Sequence, residues 1–144
     1  MNIELQAIGF SPSHSQSETY LLILSEVMGD RKIPVVLEYS DALQIAISLG
    51  DIGNAKKTSF SKIFKSTLDF LNGKLREIYI KSINEGIFET YIVITGDNGE
   101  TKIRTTIGEA LSLQAYTKCP ILASEEVMNA VGIKISDDGQ ISDD

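Results

Sequence analysis

The chain has 144 residues, 42% of them hydrophobic and 23% charged, enough for one globular domain with a full core. It carries a formal net charge of −7, and removing the four acids of the C-terminal tail, Asp137, Asp138, Asp143 and Asp144, leaves −3. Either value works against sequence-independent binding to a phosphate backbone, and no apolar run is long enough to span a membrane.

Ile3 to Phe10 alternates loosely and reads as a first strand. The polar run from Ser11 to Ser17 follows as a loop, and Thr19 to Val27 is a strong apolar stretch of strand length. Met28 to Arg31 makes a turn into a partner strand, Lys32 to Leu37. Pro34 cannot donate to a ladder, so this strand is expected at an edge or near its own end.

Ser40 or Asp41 is the expected cap of a short helix whose Ala42, Ile45, Ala46 and Leu49 share one face, with Gly50 as its stop. Asp51 to Thr58 has turn composition and is expected to be a mobile loop. A second helix is expected from about Ser59 to Leu71, with Phe60, Ile63, Phe64, Leu68 and Leu71 as its core-facing stripe.

Leu75 to Ile83 and Ile87 to Thr95 then flank Asn84-Glu85-Gly86 as a hairpin, and Asp97-Asn98-Gly99 turns the chain into Thr101 to Arg104. Thr106 and Glu109 have the spacing of a capping box for a third helix carrying Ile107, Ala110, Leu111 and Ala115 on one face. Cys119-Pro120-Ile121 ends it and begins a short strand, and Ser124-Glu125-Glu126 opens a fourth helix. This order predicts an α+β fold with a mainly antiparallel sheet and about four helices. One compact domain is expected over residues 1–135, with residues 136–144 as an acidic, disordered tail.

Met1 to Leu5 lacks the basic and apolar segments of a signal peptide, so a cytoplasmic location is expected. The single cysteine, Cys119, forms no internal disulfide and reads as a buried structural thiol. The single histidine, His14, stands in a polar loop with no second histidine or cysteine nearby, which argues against zinc and against Ser/His/Asp catalysis.

Phosphodiester cleavage with a divalent ion needs convergent carboxylates and a donor for the phosphate. Asp41 and Glu109 are the acids that helix starts can aim at one cleft, although both also serve as caps and dipole partners. Glu38, Asp51 and Glu126 lie near other element ends. Lys56, Lys57, Lys62 and Lys65 form the densest basic cluster, and Lys57 and Lys62 are the candidates to meet a phosphate. Gly50 to Asn54 lacks the lysine of a phosphate loop, and the aromatics do not interleave with basic residues as base-stacking surfaces require.

The order of segments resembles the bifunctional nuclease domain family, over about Ile3 to Ile133. Three blocks carry the resemblance: Arg31 to Leu37 leading into Asp41 to Ala46; Glu85-Gly86-Ile87-Phe88; and Ile103 to Ile121 followed by Ser124 to Val127. The resemblance implies a small α+β domain of bacteria or plants, DNase and RNase activity, and a homodimer. The family's Arg-Pro-x-Thr-His-Asp-Leu motif reads here Lys57-Thr58-Ser59-Phe60-Ser61-Lys62-Ile63. Its Arg-x-Ser-Asp-Ala reads Thr106-Ile107-Gly108-Glu109-Ala110, and its Ile-Gly and Glu-Ala pairs read Leu37-Glu38 and Asp41-Ala42.

The apolar pattern thus follows the family while the polar signature is substituted. The leading expectation is a non-catalytic, homodimeric binding or regulatory domain with no cofactor. The alternative is a nuclease using Asp41 and Glu109 with Mg2+ or a similar ion, and Lys57 and Lys62 on the phosphate. A third reading is a protein-binding module that uses a strand edge or an apolar helix face, to which the acidic charge is no obstacle.

Overall fold

The computed structural model describes residues 2–12, 19–48, 60–135 and 141–142. The element order is β1 (Asn2–Pro12), β2 (Thr19–Glu26), β3 (Arg31–Glu38), α1 (Tyr39–Ser48), α2 (Phe60–Phe70), β4 (Lys74–Asn84), β5 (Ile87–Gly96), β6 (Gly99–Thr105), α3 (Ile107–Thr117), β7 (Ile121–Ser124), α4 (Glu125–Val131), β8 (Ile133–Ile135) and β9 (Ile141–Ser142). The strands form one sheet in the order β6-β5-β4-β7-β1-β2-β3-β8-β9. Every pairing is antiparallel except β4 with β7, so the α+β reading holds.

Local chemistry explains the pairings. Asn84 faces Ile87 across a two-residue turn in which Glu85 and Gly86 both have positive φ, 52° and 80°. Two such residues in succession give the mirror-image turn whose twist suits a hairpin, and glycine at the second position avoids the Cβ penalty. β3 alternates buried Ile33, Val35 and Leu37 with exposed neighbours, the signature of a strand with one face on the core. It pairs with β2 throughout but with β8 only at Arg31 and Lys32. Beyond Lys32 its outer edge has no strand partner among the described residues, which accommodates Pro34. At the other end of the sheet, β6 is exposed along nearly its whole length and carries Glu100, Lys102 and Arg104, charges that discourage further strand addition.

The turn into β3 is fixed by charge. Arg31 donates to Glu26 at 2.7 Å, and its guanidinium also reaches Glu125 at 3.1 Å and Asn129 Oδ1 at 3.3 Å. One side chain therefore ties the β2–β3 turn to α4, and its acidic partners hold it firmly protonated.

Two apolar clusters form the core. The larger joins β1, β2 and β3 with Ile80 of β4, Ile121 and Ala123 of β7, Leu111 of α3, and Val127 and Met128 of α4. The smaller joins Leu75, Ile78 and Ile92 with Ala110 and Leu113 of α3 and with Cys119. Cys119 is buried as expected, and burial pushes its thiol pKa up, keeping it protonated and inert. Thr106 caps α3 by accepting the Glu109 amide, and Lys118 in left-handed conformation (φ 62°) closes its other end. Ser124 caps α4 by accepting from Val127.

Two helix expectations require correction. α1 begins at Tyr39, directly after β3, so Asp41 lies inside the first turn and is no cap. α2 does not bury the expected stripe: Phe60 is 70% exposed, Ile63 53%, and Leu71, just beyond the helix, 61%. Phe64 and Leu68 alone of that set pack on the smaller cluster, while Ser61 is buried instead. Ser61 donates to the Ser112 carbonyl at 3.4 Å, so a small polar residue, and no large apolar one, sets the contact with α3. The expected loop over 51–58, together with Leu49, Gly50 and His14, lies outside the described residues. So do 136–140 and 143–144 of the expected tail, between which Ile141–Ser142 pairs with β8.

Candidate functional site

The start of α3 lies against the start of α1, and a glycine makes the contact possible. A Cβ on Gly108 would fall 2.2 Å from Asp41 Oδ2 and 2.8 Å from its Cγ, so the Asp41 carboxyl occupies space that any other residue at 108 would fill. Ser112 stitches the two helices together. Its hydroxyl donates to the Gly108 carbonyl at 2.8 Å and is shared with the Asp41 carbonyl at 3.4 Å.

Glu109 is one residue further along α3. Its Oε1 accepts from the hydroxyls of Thr105 at 3.1 Å and Thr106 at 3.0 Å. The Thr106 hydroxyl in turn accepts the Glu109 amide at 3.2 Å. The carboxylate therefore serves the cap through two hydroxyls, a variant of the reciprocal box in which it would reach the cap residue's own amide.

Asp41 and Glu109 line one cavity of about 410 Å3 at the junction of α1, α2, α3, the middle of β5 and the end of β6. Phe60, Phe64, Ile92, Ile103 and Leu113 supply its apolar walls, and Gln44, Ser61 and Ser112 add polar groups. Burial pushes the Asp41 pKa upward, and the charges of Glu109 and Glu38 push it in the same direction. The field at Asp41 is therefore negative. Glu109, Thr105 and Arg104 also border a larger cleft of about 690 Å3, walled by Pro34, Val36, the tip of the β4–β5 hairpin and Val131.

The two acids singled out in the sequence thus line the same cavity. Lys62 is placed elsewhere: it borders a groove on the outer side of α2, with Ile63, Ser66, Thr67 and Phe70, and does not line the Asp41–Glu109 cavity. Lys57 lies outside the described residues. The reading overlooked Arg104, which borders both cavities from the last turn of β6, two residues before the α3 cap. Gln44 was also overlooked, although it follows Asp41 by three positions and so shares its side of the helix. Among the described residues, no three His, Cys, Asp or Glu side chains gather as a metal cage. Asp41 and Glu109 are the number of carboxylates that Mg2+ uses when a substrate's phosphate and water complete its shell.

The profile of the family described as "Bifunctional nuclease domain" matches residues 22–136. The chain belongs to the bifunctional nuclease domain family. Two relatives, each titled an uncharacterised protein and both from Mycobacterium tuberculosis, one from strain CDC 1551 / Oshkosh and one from strain ATCC 25618 / H37Rv, are 23% identical over 135 residues. The match covers 94% of this chain and 79% of theirs.

Membership gives the substituted positions a structural meaning. Ser61, where the bifunctional nuclease pattern has histidine, is buried at the cavity and bonded to α3. Lys62, where the pattern has aspartate, is exposed on the outer side of α2. Gly108, where the pattern has serine, is the seat of the Asp41 carboxyl.

Proposed function

We propose that this bifunctional nuclease domain does not cut nucleic acid and works as a small homodimeric binding or regulatory domain. The negative field at the cavity floor carries this reading. Asp41 is pushed toward neutrality by burial, Glu109 and Glu38. A phosphodiester entering there meets repulsion, and Arg104 is the one cationic side chain among the described lining residues. The test is a Mg2+-dependent cleavage assay on single- and double-stranded DNA and RNA. The expected result is no cleavage above background by the wild type. Cleavage by the wild type that Glu109→Gln abolishes while remaining folded overturns the reading.

The alternative, a nuclease with Asp41 and Glu109 as metal ligands, draws on one observation: both acids and Arg104 line a single cavity. The same assay decides between the two.

For the dimer, the outer side of α2 is the contact we propose. Ile63 (53% exposed) and Phe70 (84% exposed) stand there on the groove opposite the cavity. The helix carries Lys62 and Lys65 in its first half and Asp69 near its end. Lys65 and Asp69 already pair within the chain at 2.8 Å, and antiparallel packing of two copies opposes the helix dipoles favourably. Light scattering on the wild type is expected to give twice the monomer mass. The double variant Ile63→Asp/Phe70→Asp is expected to give the monomer mass and to remain folded, because both side chains are exposed within one chain. A monomeric wild type refutes the dimer.

A further inference from the structure

We infer that the cavity between α1, α2 and α3 is a binding site for a small organic cation, an amine or guanidine attached to an apolar or aromatic body. This deepens the binding-domain reading and rests on it for its biological sense. The inference itself stands on the balance of donors and acceptors in the cavity wall.

The hydroxyl protons are already committed. Ser61 Oγ donates to the Ser112 carbonyl, and Ser112 Oγ donates to the carbonyls of Gly108 and Asp41. Among the described lining residues the acceptors are in surplus. Gln44, a lining side chain, has no hydrogen-bond partner at Oε1, which is closed to solvent at rest, so a donor in the cavity reaches it once the amide turns. The Asp41 carboxyl abuts Gly108, and the hydroxyls that serve Glu109 both fall on the same oxygen, Oε1. A ligand that brings N–H donors and positive charge satisfies this set; a ligand that brings only acceptors does not.

The walls specify the rest of the ligand. Phe60 and Phe64 stand with ring centroids 6.3 Å apart and planes inclined by 32°. Two aromatic faces beside carboxylates suit both an apolar body and a cationic head. At about 410 Å3 the cavity lies in the size range of small-molecule sites. Arg104 borders it from β6, but its charge acts on Glu89 and Tyr91 and does not figure among the influences on Asp41. The centre of the site is left acidic.

The probe is phenethylamine, protonated at neutral pH, compared with phenethyl alcohol and phenylacetate of similar shape. Titrations of the full chain are followed by calorimetry and by amide chemical shifts. Saturable binding of the amine is expected, with shifts concentrated at α1, α2 and the start of α3. The alcohol should bind about tenfold more weakly or less, and phenylacetate should not saturate. Asp41→Asn should bring the amine down to the alcohol's affinity. Gln44→Met, which removes the orphan acceptor at similar volume, should weaken the amine severalfold. The inference is overturned if the amine fails to saturate, if alcohol or phenylacetate binds as tightly, or if folded Asp41→Asn and Gln44→Met both bind the amine like wild type. Cleavage is assayed on the same preparations. Amine binding together with Glu109-dependent cleavage leaves the site standing and refutes the non-catalytic reading; neither binding nor cleavage refutes the site alone.

Discussion

Ile80→Ala is expected to lower the unfolding free energy by about 3 kcal/mol, within the range of roughly 2–5 kcal/mol for truncating a buried isoleucine. Ile80 is fully buried in β4, where it pairs with Thr90 of β5 and Ala123 of β7. Its neighbour on the same face, Ile78, belongs to the smaller apolar cluster, whereas Ile80 belongs to the larger. β4 therefore holds the two halves of the core together, and a hole at Ile80 opens where the sheet has strands on both sides and little freedom to collapse. For a chain of this size the melting temperature should fall by roughly 10 °C. Val36→Ala, on the exposed side of β3, is the control and should change stability by less than about 0.5 kcal/mol. Chemical denaturation of both variants provides the measurement. Equal losses from the two would show that β4 does not occupy this central place.

Much of this core was legible because its signals are local. The buried alternation of β3, the Asn84-Glu85-Gly86 turn and the Thr106 and Ser124 caps each depend on residues a few positions apart, and each formed where the spacing indicated. The parallel insertion of β7 between β4 and β1 was not legible, since four residues bounded by Pro120 and Ser124 carry no mark of which strands will flank them. β8 was missed for a similar reason, being three residues long.

α2 failed in a more instructive way. Periodicity showed correctly that its apolar residues share one broad arc, but an arc wider than the contact leaves the rotation of the helix undecided. Close approach to α3 decided it. Ser61, small and able to donate to the Ser112 carbonyl, turned inward with Phe64 and Leu68, and this carried Phe60 and Ile63 out to the surface. The pairing of Asp41 with Glu109 was found from helix starts alone. The acceptor surplus around them was hidden, because it depends on which carbonyls the serine hydroxyls choose.

Gly108→Ala is expected to destabilise the protein by about 1–2 kcal/mol, even though alanine is the better helix former by up to about 1 kcal/mol. The new methyl would sit 2.2 Å from Asp41 Oδ2, 2.8 Å from Cγ and 3.3 Å from Cβ. The outer atoms can swing away. The Asp41 Cβ is fixed by the first turn of α1, so the carboxyl has to leave its seat or the helices have to part. Adding Asp41→Ala should reverse the effect. The double variant should come close to the stability of Asp41→Ala alone, because the alanine at 108 then meets only the Cβ of residue 41, at 3.3 Å, a contact that a shift of a few tenths of an ångström relieves. A double-mutant cycle should accordingly return a coupling of about 2 kcal/mol between two residues far apart in sequence. A Gly108→Ala variant as stable as wild type, with no coupling to Asp41, would show that the carboxyl does not rest on this glycine. The same contact bears on descent. The family pattern places a longer acid where Asp41 stands and a serine where Gly108 stands. The shorter acid and the bare backbone together leave the Asp41 carboxyl room against α3.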